Sequence, residues 1–229
     1  MSSPSMQEFD DDSLDPKVKG WLHASGATTG NGIVLAHGAG SNANAPLLIA
    51  LAETFSTAGF TVLRCDLPYR QTRTFGPPGP GDAARDRAGL KNAITAMKKL
   101  VTGEIFLGGH SYGGRQASML CAESVEGDLA AAAGLLLLSY PLHPPRKPEQ
   151  QRTQHLPDLL TPTLFVHGTR DPFGTIAEIE QVLKMIPAKT KLLTIAGAGH
   201  DLGFKAKAKA DQLTQRIVSE VASFNALSS

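Results

Sequence analysis

The chain is poor in cysteine, in net charge and in long apolar runs, and each shortage removes a class of protein. Its only two cysteines, Cys65 and Cys121, are far apart and in no C-x-x-C pattern. A disulfide scaffold and a cysteine-based zinc site are therefore set aside, and both thiols read as small buried apolar residues in a reducing compartment. Lys plus Arg number 22 and Asp plus Glu 21. That balance leaves none of the clustered basic excess a nucleic-acid surface needs. Even the most apolar stretch, "AAAGLLLLSY", is too short to span a bilayer and ends in polar residues. The first residues are acidic where a secretory leader needs basic ones, and no apolar core follows. The expected compartment is the cytoplasm, with neither nucleic acid nor membrane as partner. The acidic "EFDDDSLD" and the basic "KAKAKA" read as solvated surface.

What remains suits an ordinary globular domain. The 229 residues, 41% of them hydrophobic and 19% charged, suffice for one well-buried core. Residues 1–16, rich in Ser, Pro and Asp, read as a flexible lead-in, and 17–229 as a single domain with no internal repeat. "VKGWLHAS", "GIVLAH", "TVLRCDLP", "EIFLGGH", "AGLLLLSYP", "TLFVHGTRD" and "KTKLLTIAGAGHD" read as strands. Helical spacing lies between them, through Leu47, Leu51 and Phe55, and again through Ile176, Ile179, Val182 and Leu183. A further helix from Asp82 to Leu100 has Ala88, Ile94, Met97 and Leu100 as core contacts, and Leu213, Ile217, Val221 and Phe224 form the stripe of a closing helix. "YRQTRTFGPPGPGD" is too rich in Pro and Gly to hold regular structure for long. "LHPPRKPEQQRTQHLPDLLTP" reads as a polar loop with at most a short helical piece. Strands alternating with helices predict a mostly parallel sheet covered on both faces.

In such a sheet the loops that leave the strand C-termini share one edge, where ligands bind. Four of them carry chemistry. "HGAG", 37–40, has glycines that let backbone N–H groups turn toward a ligand. "GGHSYGGR", 108–115, surrounds Ser111 with four glycines. A glycine-rich turn after a strand is a phosphate cradle, a plain turn or the seat of a nucleophile. The first lacks the Lys-Ser/Thr ending of a P-loop, whereas Gly109-His110-Ser111-Tyr112-Gly113 fits G-x-S-x-G between a strand and a helix. "HGTRDPFG", 167–174, places Asp171 in a turn, and "GAGHD", 197–201, places His200 behind a buried strand. Alone, Asp171 is a turn or cap residue and His200 a loop histidine. Together, Ser, acid and His follow three strands in the chain order of an α/β-hydrolase triad.

These runs give the chain a family resemblance. "GGHSYGGR", "HGTRDPFG" and "AGAGHD" resemble the compact α/β-hydrolases of the dienelactone-hydrolase-like kind. They are most similar to a group of small hydrolase-like proteins that includes relatives of a testis-expressed protein and of a histone-acetyltransferase-complex subunit. The resemblance covers about residues 18–226. Two departures stand out: there is no insertion large enough for a cap domain, and Ser111 stands where dienelactone hydrolases proper carry a cysteine.

The resemblance implies a serine hydrolase acting on an ester or thioester of a small molecule. Ser111 is then the nucleophile, His200 the base and Asp171 its orienting acid, with the backbone N–H groups of Ala39 and Tyr112 as oxyanion donors. No metal or organic cofactor is called for. Arg70 and Arg73 are candidates for holding an anionic substrate group, and Tyr140 and His143 for a pocket wall. Arg115, one helical turn past Ser111, is expected to pair with Asp66 or to contact substrate. His37 and His167 read as hydrogen-bonding loop backbone, His110 as packed beside the elbow, and Asp201 as the competing acid. A binding or scaffold protein on the same fold, and a peptidase or acyltransferase with the same residues, stay open.

Overall fold

A computed structural model describes residues 5–25, 30–123, 132–204 and 210–226. Eight strands form one sheet in the order β1-β2-β4-β3-β5-β6-β7-β8. They are β1 (Ser5–Asp11), β2 (Val18–Ala24), β3 (Gly32–Ala36), β4 (Thr61–Asp66), β5 (Ile105–His110), β6 (Gly134–Leu138), β7 (Thr163–Gly168) and β8 (Thr190–Ile195). β2 pairs antiparallel with β1 and β4, and every pairing from β4 to β8 is parallel. The helices are α1 (Pro46–Thr57), α2 (Pro68–Thr72), α3 (Asp82–Lys98), α4 (Tyr112–Glu123), α5 (Ile176–Leu183) and α6 (Ala210–Ala226).

The central strands are apolar throughout because both faces are covered. Val34 and Ala36 of β3, and Leu135 and Leu137 of β6, pack with Leu90, Ile94 and Met97 of α3, Ala117 and Leu120 of α4, and Ile179 of α5. Their neighbours Ile33, Leu35, Leu136 and Leu138 point the other way, onto Leu48, Leu51 and Phe55 of α1 and Ile217 and Val221 of α6. This is the two-residue period of a strand sorting side chains between two cores. The predicted α6 stripe is buried at Leu213, Ile217, Val221 and Phe224. Each such side chain contributes roughly 1.5–3 kcal/mol, so docking rather than intrinsic propensity holds this helix. Both thiols are buried, and burial pushes each up to about 12, as small apolar residues should behave. Among the described residues no helix is long and apolar enough to cross a membrane.

Three local expectations are corrected. Ser5–Asp11 lie within the stretch read as a flexible lead-in, yet they pair along their whole length with β2. Five of these seven side chains are exposed; the strand is held mainly by its backbone ladder, which composition does not display. Pro68, read as the end of the strand run, starts a helix, α2, that takes in the first four residues of the segment read as irregular, because its fixed φ and missing N–H suit the first helical position. Leu100 was expected in the core but is 46% exposed, since α3 ends at Lys98 and the apolar stripe ends with it. Of "KAKAKA" only Ala210 falls within the described residues, where it opens α6.

Candidate active site

The loops after β3, β5, β6, β7 and β8 meet at one edge of the sheet. Ser111 sits between β5 and α4 with φ +52°, a left-handed conformation that a residue with a side chain adopts only when its surroundings impose it. They do so from both sides. The Ser111 N–H donates to Leu138 O at 2.8 Å, and the Ser111 carbonyl accepts the Arg115 N–H at 3.0 Å. The chain turns so sharply that a Cβ on Gly109 would lie 2.6 Å from the Gly113 carbonyl carbon, and one on Gly113 would lie 2.5 Å from His37 O. The glycines of G-x-S-x-G are therefore required by backbone approaching backbone. Gly113→Ala should cost about 1–3 kcal/mol of stability, the range for an overpacked site. It should also displace the 37–40 loop. A urea midpoint equal to wild type would show that the elbow has more room than this.

The structure brings Ser111, His200 and Asp171 together. His200 Nε2 lies 2.9 Å from Ser111 Oγ, and its Nδ1 lies 2.8 Å from Asp171 Oδ2 and 3.0 Å from Oδ1. The carboxylate accepts from Nδ1–H, which leaves Nε2 free to accept the serine proton. Burial alone would push the Asp171 carboxyl up. The hydrogen bond and charge of His200, with the Phe173 N–H, more than offset it, and the group lies below the ordinary carboxylate range. The Phe173 ring packs on the imidazole of His200 with centroids 4.2 Å apart. His110 Nε2–H donates to the His200 carbonyl at 2.8 Å, so the residue before the elbow also fixes the histidine loop. Asp201 Oδ1 accepts the Gly203 N–H at 3.0 Å, closing a turn. His37 donates from Nδ1 to Gly38 O (2.9 Å) and accepts the Leu67 N–H at Nε2 (3.1 Å), and His167 donates to Gly174 O (2.9 Å). Both hold loop backbone, as expected.

The 37–40 loop runs against the elbow: a Cβ on Gly38 would lie 3.1 Å from His110 Nδ1 and 3.6 Å from Ser111 Cβ. Its orientation is set by residues the sequence reading missed. Tyr69 Oη–H donates to Ala39 O at 2.8 Å. Asp86, buried on α3, accepts the Tyr69 N–H at 3.0 Å and Tyr112 Oη–H at 2.7 Å. Burial raises this carboxyl despite those bonds. One carboxylate thus ties Tyr112, which follows Ser111, to Tyr69, which holds Ala39. The signal was present in the sequence: Asp86 stands in line with Leu90, Ala93 and Met97, an acid on the apolar face of a helix.

Four candidate substrate residues are spent elsewhere. Arg70 is 8% exposed and donates to the carbonyls of Ser41 (2.7 Å), Arg73 (3.0 Å), Gly76 (2.8 Å) and Ala39 (3.3 Å). It clamps two loops, and is neither solvated nor free for substrate. Arg73 pairs with Asp82 at the surface. Tyr140 is fully buried against Phe165 and donates to Arg152 O at 2.5 Å, so it lies behind the wall it was expected to form. His143 is buried, with Nδ1–H on Pro144 O at 2.8 Å. The Arg115–Asp66 pair is absent. Asp66 ends β4, separated by β3 and β5 from the β6 side, and accepts the Ala43 N–H at 2.6 Å.

A mostly parallel eight-stranded sheet, helices on both faces, and a serine on a strained strand-to-helix turn define an α/β-hydrolase without a large cap. A family model described as an alpha/beta hydrolase domain matches residues 29–226, and the chain belongs to that family. A dienelactone hydrolase from Anabaena variabilis superposes with TM-score 0.72 at 23% identity, over 95% of this chain and 97% of that one. A bacterial heroin esterase gives 0.74 at 18% identity, over 97% and 85%. A serine hydrolase without a lid from Xanthomonas campestris gives 0.69 at 13%, over 96% and 95%. At these identities the likeness is one of fold. Among curated proteins, polyketide synthase ThaQ of Burkholderia thailandensis is 52% identical over 48 residues, which are 21% of this chain and only 2% of that protein.

Proposed function

We propose that the protein is a serine hydrolase that cleaves the ester or thioester bond of a small acyl substrate through an acyl-enzyme. The observation that carries this reading is the unbroken hydrogen-bonded chain from Ser111 Oγ through His200 to the buried carboxylate of Asp171. In this mechanism Ser111 Oγ attacks the acyl carbon while His200 Nε2 takes the hydroxyl proton. The tetrahedral oxyanion sits against the N–H groups of Ala39 and Tyr112, donors of a kind worth roughly 3 kcal/mol each. Collapse breaks the bond to the leaving group, which departs with the proton from His200. Water, deprotonated by the same imidazole, then hydrolyses the acyl-serine and restores the hydroxyl. Throughout, Asp171 keeps the proton of His200 on Nδ1 and stabilises the imidazolium.

The test is a fluorophosphonate probe, which labels only an activated serine, combined with a panel of short and long acyl esters, thioesters, lactones and a peptide. Labelling of Ser111 with turnover of esters or thioesters supports the reading. An unlabelled folded protein would favour a binding or scaffold role. Turnover of the peptide alone, or acyl transfer in place of hydrolysis, would shift the reaction class.

The tie through Asp86 gives a separate expectation. In Asp86→Ala the Tyr69 N–H and Tyr112 Oη–H both lose the oxygen that accepts them. Tyr112 and the 37–40 loop are then no longer held by one group. The expected result is a kcat lowered about tenfold, less than the 10²–10³ of outright donor loss, with KM within about twofold. Steady-state kinetics on one ester decides it. A loss confined to KM would take Asp86 out of oxyanion positioning.

A further inference from the structure

Arginines below the surface of this protein reach a carbonyl or a carboxylate oxygen, with one exception. Arg64 holds His23 and Ala43 O, Arg70 holds four carbonyls, Arg87 holds Glu123 and Gln116, and Arg152 holds Pro141 O. Arg115 is half-buried. Its Nε is enclosed with no hydrogen-bond partner, and no carboxylate pairs with its guanidinium among the described residues. A cation held out of water without a counter-charge is destabilising.

Its surroundings add to the positive charge. Arg115 meets the Tyr140 hydroxyl in a side-chain hydrogen bond and acts by its charge on Tyr140, Arg152 and His155, and Arg87 also acts on His155. His155 is pushed down to about 4, first by burial and then by these two guanidiniums, and its Nε2 meets Ser118 Oγ at 2.8 Å. The nearby acids are Glu123, which is engaged with Arg87, and the exposed Asp158. Arg152 is held firmly. Its N–H donates to Leu142 O at 2.8 Å, its carbonyl accepts Tyr140 Oη–H, and Nη1 donates to Pro141 O at 3.0 Å.

This cluster is joined to the triad at both ends. Arg115 lies one turn along α4 from Ser111, on the same helix face. The segment carrying Arg152 begins at the end of β6, whose Leu138 O accepts the Ser111 N–H, and the His143 N–H donates to the carbonyl of Phe173, the ring that packs on His200. We propose that Arg115 and Arg152 form an anion-binding subsite one helical turn from the nucleophile, and that the substrate carries a carboxylate or phosphate group on the part bound there. A planar guanidinium matches either group with paired hydrogen bonds. The substrate's charge supplies the counter-ion that the protein itself omits. This assignment takes over the anion-holding part that the sequence suggested for Arg70 and Arg73, and its catalytic arm rests on the serine-hydrolase reading.

Two measurements separate the subsite from that reading. The first is thermal unfolding without turnover, in glutarate, in inorganic phosphate and in chloride of matched ionic strength. Wild type should be stabilised by glutarate or phosphate beyond chloride, and the responding anion identifies the group. Arg115→Gln should melt above wild type in plain buffer, because the unpaired charge is gone, and should not respond to either anion. The second is kcat/KM for the p-nitrophenyl half-ester of glutaric acid, its phosphono analogue and the neutral amide isostere. Arg115→Gln should lose about 10- to 100-fold on the preferred acidic ester and stay within about threefold on the neutral one. Arg115→Lys, which keeps the charge but not the fork, should fall between. If Arg115→Gln does not fold, Arg152→Gln is read in its place against the same outcomes. An anion response that survives both substitutions, or equal losses on acidic and neutral esters, overturns the subsite. A wild type that fluorophosphonate does not label, but that glutarate stabilises through Arg115, would retain the subsite and remove the serine mechanism.

Discussion

Ser111→Ala is expected to lower kcat/KM for any turned-over ester by about 10⁵-fold or more, the scale on which loss of the nucleophile removes catalysis by a coupled triad. Labelling by fluorophosphonate should vanish with it. Folding should survive, because what holds the elbow is backbone: the Ser111 N–H on Leu138 O, the start of α4 on the Ser111 carbonyl, and the close approaches at Gly109 and Gly113. Alanine inherits the strained φ without adding bulk and gives up only the bond to His200. The unfolding free energy should therefore stay within about 1 kcal/mol of wild type. Activity and stability separating in this way is the mark of a nucleophile. A variant that keeps a tenth of the activity would mean that Ser111 is a bystander at a glycine-rich turn.

How much of this could be read from the chain depended on how local each cause was. The elbow was legible because its marked residues, Gly109, Ser111 and Gly113, lie within five positions of one another. The sheet was legible because burial on both faces leaves continuous apolar runs in β3, β5, β6 and β7. Asp171 could be placed because it follows such a run and His200 because it follows the edge strand β8, and a parallel sheet carries both strand ends to one edge. Partners from distant loops were not legible. Arg70 was assigned to substrate because its position at the ligand edge is visible, whereas the carbonyls of Ala39, Ser41, Arg73 and Gly76 converge on it only after two irregular loops have folded. Tyr140 was misplaced for a similar reason: which way a side chain points after the last strand residue depends on a backbone turn, here through Ser139 at φ +50°. Asp86 went unnoticed because its tyrosine partners are 17 and 26 positions away. β1 was missed because a backbone ladder needs no particular side chains.

Asp171→Asn should reduce kcat/KM by about 10⁴-fold, the loss seen when the orienting acid of such a triad becomes an amide, whereas Asp201→Asn should stay within about threefold of wild type. The asymmetry follows from what each oxygen does. Asp171 Oδ1 accepts the Phe173 N–H at 2.9 Å as well as facing His200. In the asparagine variant the single side-chain oxygen is required there, which leaves the amide nitrogen at the Oδ2 position, 2.8 Å from His200 Nδ1. An N–H donor at that place obliges Nδ1 to accept, so the ring proton moves to Nε2. The nitrogen facing Ser111 Oγ at 2.9 Å then presents a hydrogen in place of a lone pair and cannot take the serine proton. Asp201 faces no such choice: its Oδ1 accepts the Gly203 N–H, and asparagine keeps an oxygen for that bond. Steady-state kinetics on one ester, with thermal melts to show that both variants are folded, gives the comparison. If Asp201→Asn is the more damaging of the two while both remain folded, the acid that orients His200 in turnover is Asp201, and the Asp171 contact belongs to the fold.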